Sequence, residues 1–192
     1  MGKQAINTIT VQDPEMLRRL LEAFDTEVDA LRTLINDIRG KLLGNYLFSK
    51  PTLAIGSTNT AVSSIAFDYL IAGIKYAKAA VAAGTAPGND VVPQSTYGAV
   101  AFDIGADGTI DAIEATNNAT GYASAALAVA GLPAVASGHV RMGYVTAIKS
   151  DGAFTFGTTA LNAANTTVAY TDQTPGLAQI GSAVSEQVEK GR

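Results

Sequence analysis

Cysteine and tryptophan are absent from this 192-residue sequence, and histidine occurs once, at His139. Without cysteine the chain can form neither a disulfide framework nor a cysteine-based zinc site. A single histidine leaves few candidates for a catalytic triad, a catalytic dyad or a typical zinc site. No phosphate-binding loop opens a helix either. We therefore expect a protein that is not an enzyme and has no cofactor.

Charged residues are also scarce, at 16% of the chain, compared with about a quarter in typical soluble domains. The net charge of -4 argues against nucleic acid or an anionic membrane as a partner. No apolar run follows Lys3, so the N-terminus lacks the pattern of a signal peptide. The most apolar later stretch, residues 123–138, contains Pro133 and is too short to span a bilayer. These features predict a soluble protein made in the cytoplasm.

The charges that are present are unevenly distributed. Residues 1–50 hold 14 of the 30 charged residues, residues 51–172 hold 12, and the last twenty hold 4. This change in composition predicts a domain boundary near Ser49-Lys50-Pro51. The predicted organisation is an N-terminal arm at 1–13, a helix at 14–44, a β domain at 50–172 and a C-terminal tail at 173–192.

A long amphipathic helix is predicted between Asp13 and Gly44. Asp13 is a good N-cap, Pro14 suits the first helical position, and Gly44 suits a C-terminal stop. The apolar residues between them are spaced alternately four and three apart, which is a seven-residue repeat over about four heptads. Arginines beside this seam could pair with Glu27 of a neighbouring chain. The seam consists of Leu17, Leu21, Phe24, Val28, Leu31, Ile35, Ile38 and Leu42.

The spacing of this seam predicts a coiled coil. A helix lying on its own domain, which is the alternative, usually shows a wider stripe with a period of 3.6 residues. Ile35 and Ile38 occupy successive a and d positions, and Phe24 is a bulky d residue. Leu20 and Leu34 widen the apolar face, which favours three strands over two. We therefore expect a parallel homotrimer, in which each buried seam side chain contributes about 1.5–3 kcal/mol.

The sequence after Pro51 has the alternating pattern of short β-strands separated by turns. Ala72-Gly73 lies between two alternating runs and predicts a hairpin. Only residues 122–132 favour a short helix. The fold prediction is therefore mainly β, an antiparallel β-sandwich or barrel-like domain that follows an N-terminal α-helical coiled coil in a homotrimer.

Two longer strands are predicted to have defined faces. In the first, Val100, Phe102 and Ile104 lie on one face. In the second, strict alternation divides eight residues into two sets. One face carries Val140, Met142, Tyr144 and Thr146, and the other carries Arg141, Gly143, Val145 and Ala147.

Residues 103–114, DIGADGTIDAIE, match several ligand positions of a calcium-binding loop. However, the preceding residues have a strand pattern, whereas an EF-hand needs a helix there. Gly105 also supplies no side-chain oxygen at the third position. We prefer a hairpin whose turn is residues 105–108, with Gly108 in a left-handed conformation. The alternative is a calcium site of another type, with the weak candidate ligands Asp103, Asp107, Asp111 and Glu114.

Isolated polar and aromatic residues give weaker indications. His139 follows Gly138 at the start of a strand and is expected to be a surface or edge residue. Two carboxylates from distant strands could still form a glycosidase pair. The triplets at residues 118–120 and 165–167 match the glycosylation pattern, which means little without a secretion signal. Tyr97 and Tyr122 are the only suggestive aromatic residues for glycan binding.

The β segment resembles head fibres and capsid decoration (cement) proteins of tailed bacteriophages. The resemblance covers roughly residues 50–172. It is carried by YLIAGIKYAKAA, AFDIGADGTID, LPAVASGHVRMGYVTAI and FGTTALNAANTTVAY, of which LP…GHVRMGYV followed by GTTALN is the most specific part. It implies a non-enzymatic homotrimer on the capsid surface of the virion, bound to the major capsid protein or neighbouring virion proteins.

Three other functions remain open from the sequence. The first is a receptor-binding tail or neck fibre module that recognises a host glycan or protein. The second is a calcium-binding interaction protein that uses residues 103–114. The third is a bacterial surface or scaffold trimer unrelated to phage.

Overall fold

The computed structural model describes residues 14–176, with the backbone only for residue 37 and residues 39–43. These residues form two compact units, which divide between Lys41 and Leu42. The predicted arm at 1–13 lies outside the described residues, as does the predicted tail from residue 177 onwards.

The described part of the first unit belongs to the helix α1, Pro14–Leu43, whose last two residues fall in the second unit. The helix begins at the predicted proline and ends immediately before Gly44, while the predicted N-cap Asp13 lies outside the described residues. Surface ion pairs within the helix join Arg18 to Glu15 at 3.4 Å, and Arg32 to Asp29 at 3.2 Å. Within residues 14–176, neither helix combines the length and apolar character needed to cross a bilayer.

The second unit is mainly β, as predicted, and its strand pairs are antiparallel. A short helix, α2, lies at Ala125–Ala130, within the stretch where a helix was predicted. The strands are β1 (Tyr46–Leu47), β2 (Ala54–Ile55), β3 (Val62–Ser64), β4 (Phe67–Ile71), β5 (Ile74–Lys78), β6 (Val81–Thr85), β7 (Val91–Val92), β8 (Tyr97–Gly105), β9 (Ile110–Glu114), β10 (His139–Lys149), β11 (Phe154–Thr155) and β12 (Thr166–Asp172).

These strands form four sheets in a sandwich-like arrangement. The largest has the order β12-β10-β8-β9, two smaller ones have the orders β1-β4-β5 and β2-β3-β6, and β11 pairs with β7. The β unit includes residues before the predicted start at residue 50, because Tyr46 of β1 pairs with Leu70 of β4.

Strand β8 lies at the centre of the unit and is buried on both faces. Val100, Phe102 and Ile104 point into the main core, as their predicted common face requires. On the other face, Ala99 packs with Ala115 and with Ala128 of α2 in a second, smaller core. Because these alanine side chains are small, the helix α2 can approach the sheet closely.

The predicted division of β10 into two faces is wrong after Met142. The pairing with β8 shifts between Arg141, which lies opposite Asp103, and Gly143, which lies opposite Phe102. Met142 is therefore the extra residue of a β-bulge, and a bulge reverses the alternation that follows it. As a result, the main core contains Val140, Met142, Val145 and Ala147 together.

Both predicted hairpin turns are confirmed. In the turn after β8, Gly108 has φ +78° and its amide donates to the Gly105 carbonyl at 3.0 Å. Between β4 and β5, Ala72 and Gly73 have φ values of +50° and +82°. Two successive positive φ angles are typical of a type I′ turn, which matches the twist of the flanking strands.

Candidate functional site

The predicted seam of α1 is exposed in the single chain. Phe24 is 65% exposed and Leu31 57%, and the other exposed seam residues are Leu17, Leu21, Ile35 and Ile38. Val28 is half-buried, and the side chain of Leu42 lies outside the described residues. Leu20 and Leu34 extend the exposed apolar face beside the seam. Such a continuous row of large apolar side chains is uncommon on a helix that stays in water.

The four candidate calcium ligands do not converge. Asp103 is buried and receives two bonds from Arg141, from Nε to Oδ1 at 2.9 Å and from Nη2 to Oδ2 at 3.2 Å. The Asp107 carboxylate accepts from the Thr109 amide at 2.9 Å and from its hydroxyl at 2.8 Å. These contacts explain how both carboxylates are satisfied without a metal ion.

The other two carboxylates are engaged elsewhere. Asp111 Oδ2 lies 3.3 Å from Nε2 of His139. Glu114 Oε1 accepts from the amides of Asn89 and Asp90, both at 2.7 Å. Among the residues that the structure describes, no group of three or more acidic, histidine or cysteine side chains could hold a metal ion.

The electrostatics of this region follow from the same contacts. The Thr109 amide, and then its hydroxyl, lower the pKa of Asp107 below its ordinary value. Burial, followed by the nearby Glu114 carboxylate, raises the pKa of Asp90. The turn itself is tied to the β4–β5 hairpin, because the Tyr69 hydroxyl donates to the Gly105 carbonyl at 3.0 Å and Lys78 Nζ donates to the Gly108 carbonyl at 2.7 Å.

A cleft of about 630 Å³ opens in the β unit, and we call it the β-unit cleft. It is formed by three stretches that are far apart in the sequence, residues 45–47, 135–141 and 173–176. The chain at Gly176 lies directly against Tyr46, since a Cβ added to Gly176 would be 2.8 Å from the Tyr46 Cγ. The convergence of these stretches makes this cleft the candidate binding site of the unit.

His139 lies in the β-unit cleft, at an edge of the sheet as predicted. It begins β10, whose first residues pair with β8 alone because the pairing with β12 starts at Gly143, and its side chain is 29% exposed. Its Nδ1 lies 3.0 Å from the Ser137 carbonyl oxygen, and its own carbonyl accepts from Asn45 Nδ2 at 3.2 Å. The histidine thus connects two walls of the cleft.

The two tyrosines suggested for glycan binding have structural roles instead. Tyr97 and Tyr122 form a β-bridge and pack against the smaller, alanine-rich core. The Tyr122 hydroxyl accepts from the Asn117 amide at 2.9 Å. They therefore do not form an exposed aromatic platform.

Most residues of the β-unit cleft could not be predicted from the sequence. Asn45 lies in the predicted linker and Gln173 in the predicted tail, and neither belongs to a motif. Residues 135–141 lie in the LP…GHVRMGYV stretch, where the break in pattern around Pro133 to Gly138 indicates an irregular segment.

Comparison with protein-family models, curated proteins and solved structures finds no match to this chain.

Proposed function

We propose that this chain is a homotrimeric structural protein of a tailed-bacteriophage virion, which binds and stabilises the capsid shell as a decoration (cement) or head-fibre protein. The observation that carries the proposal is the exposed seam of α1, with its spacing of three and four residues. The phage assignment rests on the resemblance of the β segment, and the seam supports the trimer that this resemblance implies.

Association through α1 follows from the energetics of the helix. A single helix in water is only marginally stable, and most helical stability in proteins comes from packing of an apolar face. Burying each large seam side chain contributes about 1.5–3 kcal/mol. Phe24 is a bulky member of the seam, and Leu20 and Leu34 beside it widen the apolar face. A wide seam favours three chains, because each helix then packs against two neighbours.

A trimer suits attachment to a capsid. A threefold or quasi-threefold position on the shell offers three equivalent contacts to the three β units. Weak contacts made together hold a protein far better than one contact alone. Residues 1–12 or the segment after residue 175 would supply further contacts with neighbouring capsid subunits. The protein would then bridge shell subunits against internal pressure.

The first experiment measures the mass of the full-length protein by sedimentation equilibrium at micromolar concentration. We expect three times the chain mass of 19.7 kDa. The variant Leu31→Glu places a charge in the seam and should dissociate the trimer, because a charge buried there has no partner. Thr33→Glu introduces the same charge outside the seam and should leave the mass unchanged. A monomeric wild-type protein would contradict the proposal.

The second experiment tests the capsid. Purified protein is sedimented with empty phage capsids, beside Leu31→Glu and a version that lacks residues 1–12. We expect retention of the wild-type protein and much weaker retention of Leu31→Glu, because avidity is lost with the trimer. A trimeric wild-type protein that does not sediment with capsids would leave the oligomer standing and exclude the decoration function.

A further inference from the structure

The β-unit cleft has the size and position of a small-molecule site. Its volume of about 630 Å³ lies within the range of about 300–1,000 Å³ that is typical of such sites. It lies entirely within the β unit, beside the start of β10. An inference from its chemistry is therefore independent of whether α1 joins three chains.

Charges in the β-unit cleft are balanced by neighbouring groups of the protein. The Arg141 guanidinium, which is 17% exposed, is held by both oxygens of Asp103, and its Nη2 also donates to the Pro133 carbonyl at 2.9 Å. The His139 ring faces Asp111 at 3.3 Å. A charged ligand could bind only by displacing one member of these pairs, so the cleft favours a neutral ligand.

Hydrogen-bonding capacity nevertheless remains in the β-unit cleft. The side chains of Ser137, Gln173 and Thr174 line it and make no hydrogen bond within residues 14–176. Two hydroxyls and one amide offer donors and acceptors together. A ligand with several hydroxyl groups, each of which both donates and accepts, can satisfy all three.

Apolar surface accompanies these polar groups. Leu47 and Val140 are buried residues at the floor of the β-unit cleft, and Val135 is 40% exposed at its side. Tyr46 is held by an edge contact with Phe48, at 5.2 Å between ring centroids. The cleft thus pairs a fixed aromatic ring and aliphatic surface with uncharged polar groups, which suits the C–H faces and the hydroxyl edges of a sugar ring.

From this combination we propose that the β-unit cleft binds a neutral saccharide, held by Gln173, Thr174 and Ser137 against the apolar surface of Tyr46 and Val135. This goes beyond the structural role proposed above, because it gives each β unit a ligand of its own. In a trimer, three such sites would act together and strengthen attachment to a carbohydrate-coated surface.

The test is saturation-transfer NMR on the full-length protein with separate sugars. Glucose, galactose and N-acetylglucosamine are the neutral probes, and sialic acid and glucuronic acid are the anionic probes. We expect transfer to at least one neutral sugar and none to the acids. The variants Gln173→Ala and Thr174→Val should each weaken that binding by about 2- to 12-fold, the range for one lost hydrogen bond.

Matched controls make the outcome decisive. Thr167→Val makes the same change as Thr174→Val at an exposed position of β12 outside the cleft, and it should bind the sugar like the wild type. Leu31→Glu should keep the affinity of each site, which separates failure of this proposal from failure of the trimer. Absence of transfer to all neutral sugars, stronger binding of the acids, or binding that both cleft variants leave unchanged would each overturn the proposal.

Discussion

At the scale of single residues, buried polar groups in the β unit have specific partners. The fully buried Asn118 side chain accepts from the Ala99 amide and donates to the Ala99 carbonyl, both at 3.0 Å. Beyond the end of β9, the Asn118 side chain therefore pairs with the backbone of β8 as a neighbouring strand would, beside the Ala115 amide. Ser64 is the exception, since its buried hydroxyl makes no hydrogen bond within the described residues. A buried polar group without a partner costs stability, so substitution of a residue that supplies such a partner should destabilise the β unit.

Asn118→Ala should destabilise the β unit strongly. It leaves the amide of Ala99 buried without its partner, at a cost of about 1–3 kcal/mol, whereas the Ala99 carbonyl keeps its bond from the Ala115 amide at 3.0 Å. Urea denaturation followed by circular dichroism, at fixed chain concentration, measures the change. Asn117→Ala is the control, because that side chain is exposed and makes no hydrogen bond within the described residues; it should change stability by less than about 0.5 kcal/mol. Equal effects of the two substitutions would contradict the assigned role of Asn118.

Arg141→Met should cost more stability than replacing both members of the ion pair. The single change leaves the buried Asp103 carboxylate without its cation, at a cost of about 3–5 kcal/mol. The double variant Asp103→Leu with Arg141→Met removes both charges and should recover most of that loss. Thermal and urea unfolding of the wild type, the two single variants Asp103→Leu and Arg141→Met, and the double variant give the coupling energy. A double variant less stable than Arg141→Met would contradict this expectation, because the unpaired Asp103 carboxylate would then not be the cause of the loss.

At the scale of elements, the turns decide how well the hairpins form. Ala72 has φ +50°, a conformation that costs an ordinary residue about 1–2 kcal/mol. Asparagine adopts it more readily. We expect Ala72→Asn to raise the free energy of unfolding by about 0.5–1 kcal/mol. Ala77→Asn, at an exposed position within β5, should lower it instead, because asparagine is unfavourable in strands. A gain at both positions would point to a cause other than the turn.

The turn of residues 105–108 should be sensitive to acid. Hydrogen bonds from Thr109 lower the pKa of Asp107 in the folded chain below its value in the unfolded chain. This stabilisation is therefore present above the unfolded pKa of about 3.9 and is lost as the pH falls through the lower, folded pKa. Measured stability against pH should fall less steeply in acid for Asp107→Asn. Identical profiles for the two proteins would rule out this contribution.

Local chemistry explains which elements could be predicted. The heptad spacing defines α1, and the Asp107-Gly108 and Ala72-Gly73 turns define their hairpins, because all the residues involved are neighbours in the sequence. The bulge at Met142 has no such signal, so strict alternation placed Val145 and Ala147 on the wrong face. The Asp103–Arg141 pair follows from that register and was missed. The β-unit cleft was missed because it needs three distant stretches to meet.

At the scale of the whole molecule, the two units bury apolar surface differently. The β unit has a core of its own, in which Phe102, Phe154 and Phe156 are almost completely buried. The helix α1 instead presents its apolar seam to solvent in the single chain. Stability of the helix should thus depend on chain concentration, whereas stability of the β unit should depend mainly on its own packing.

Calcium should not change the stability of the molecule. A cation bound by the folded chain alone would raise the melting midpoint. The four candidate carboxylates are each engaged by protein groups, and they do not converge. We expect the same midpoint in calcium and in chelator by differential scanning calorimetry. A rise of the midpoint with calcium that Asp107→Asn abolishes would instead support the alternative calcium site.

The contact between Gly176 and Tyr46 has a practical consequence. Tyr46 and Gly176 lie side by side near the two ends of the described β unit, so residues 45–176 can be grafted into a surface loop of an unrelated host protein without stretching either junction. The same closeness permits circular permutation of residues 45–176, with residues 45 and 176 joined by a short peptide and new ends opened at the exposed loop tip around Ala106. A self-contained cassette of this kind could carry a foreign epitope.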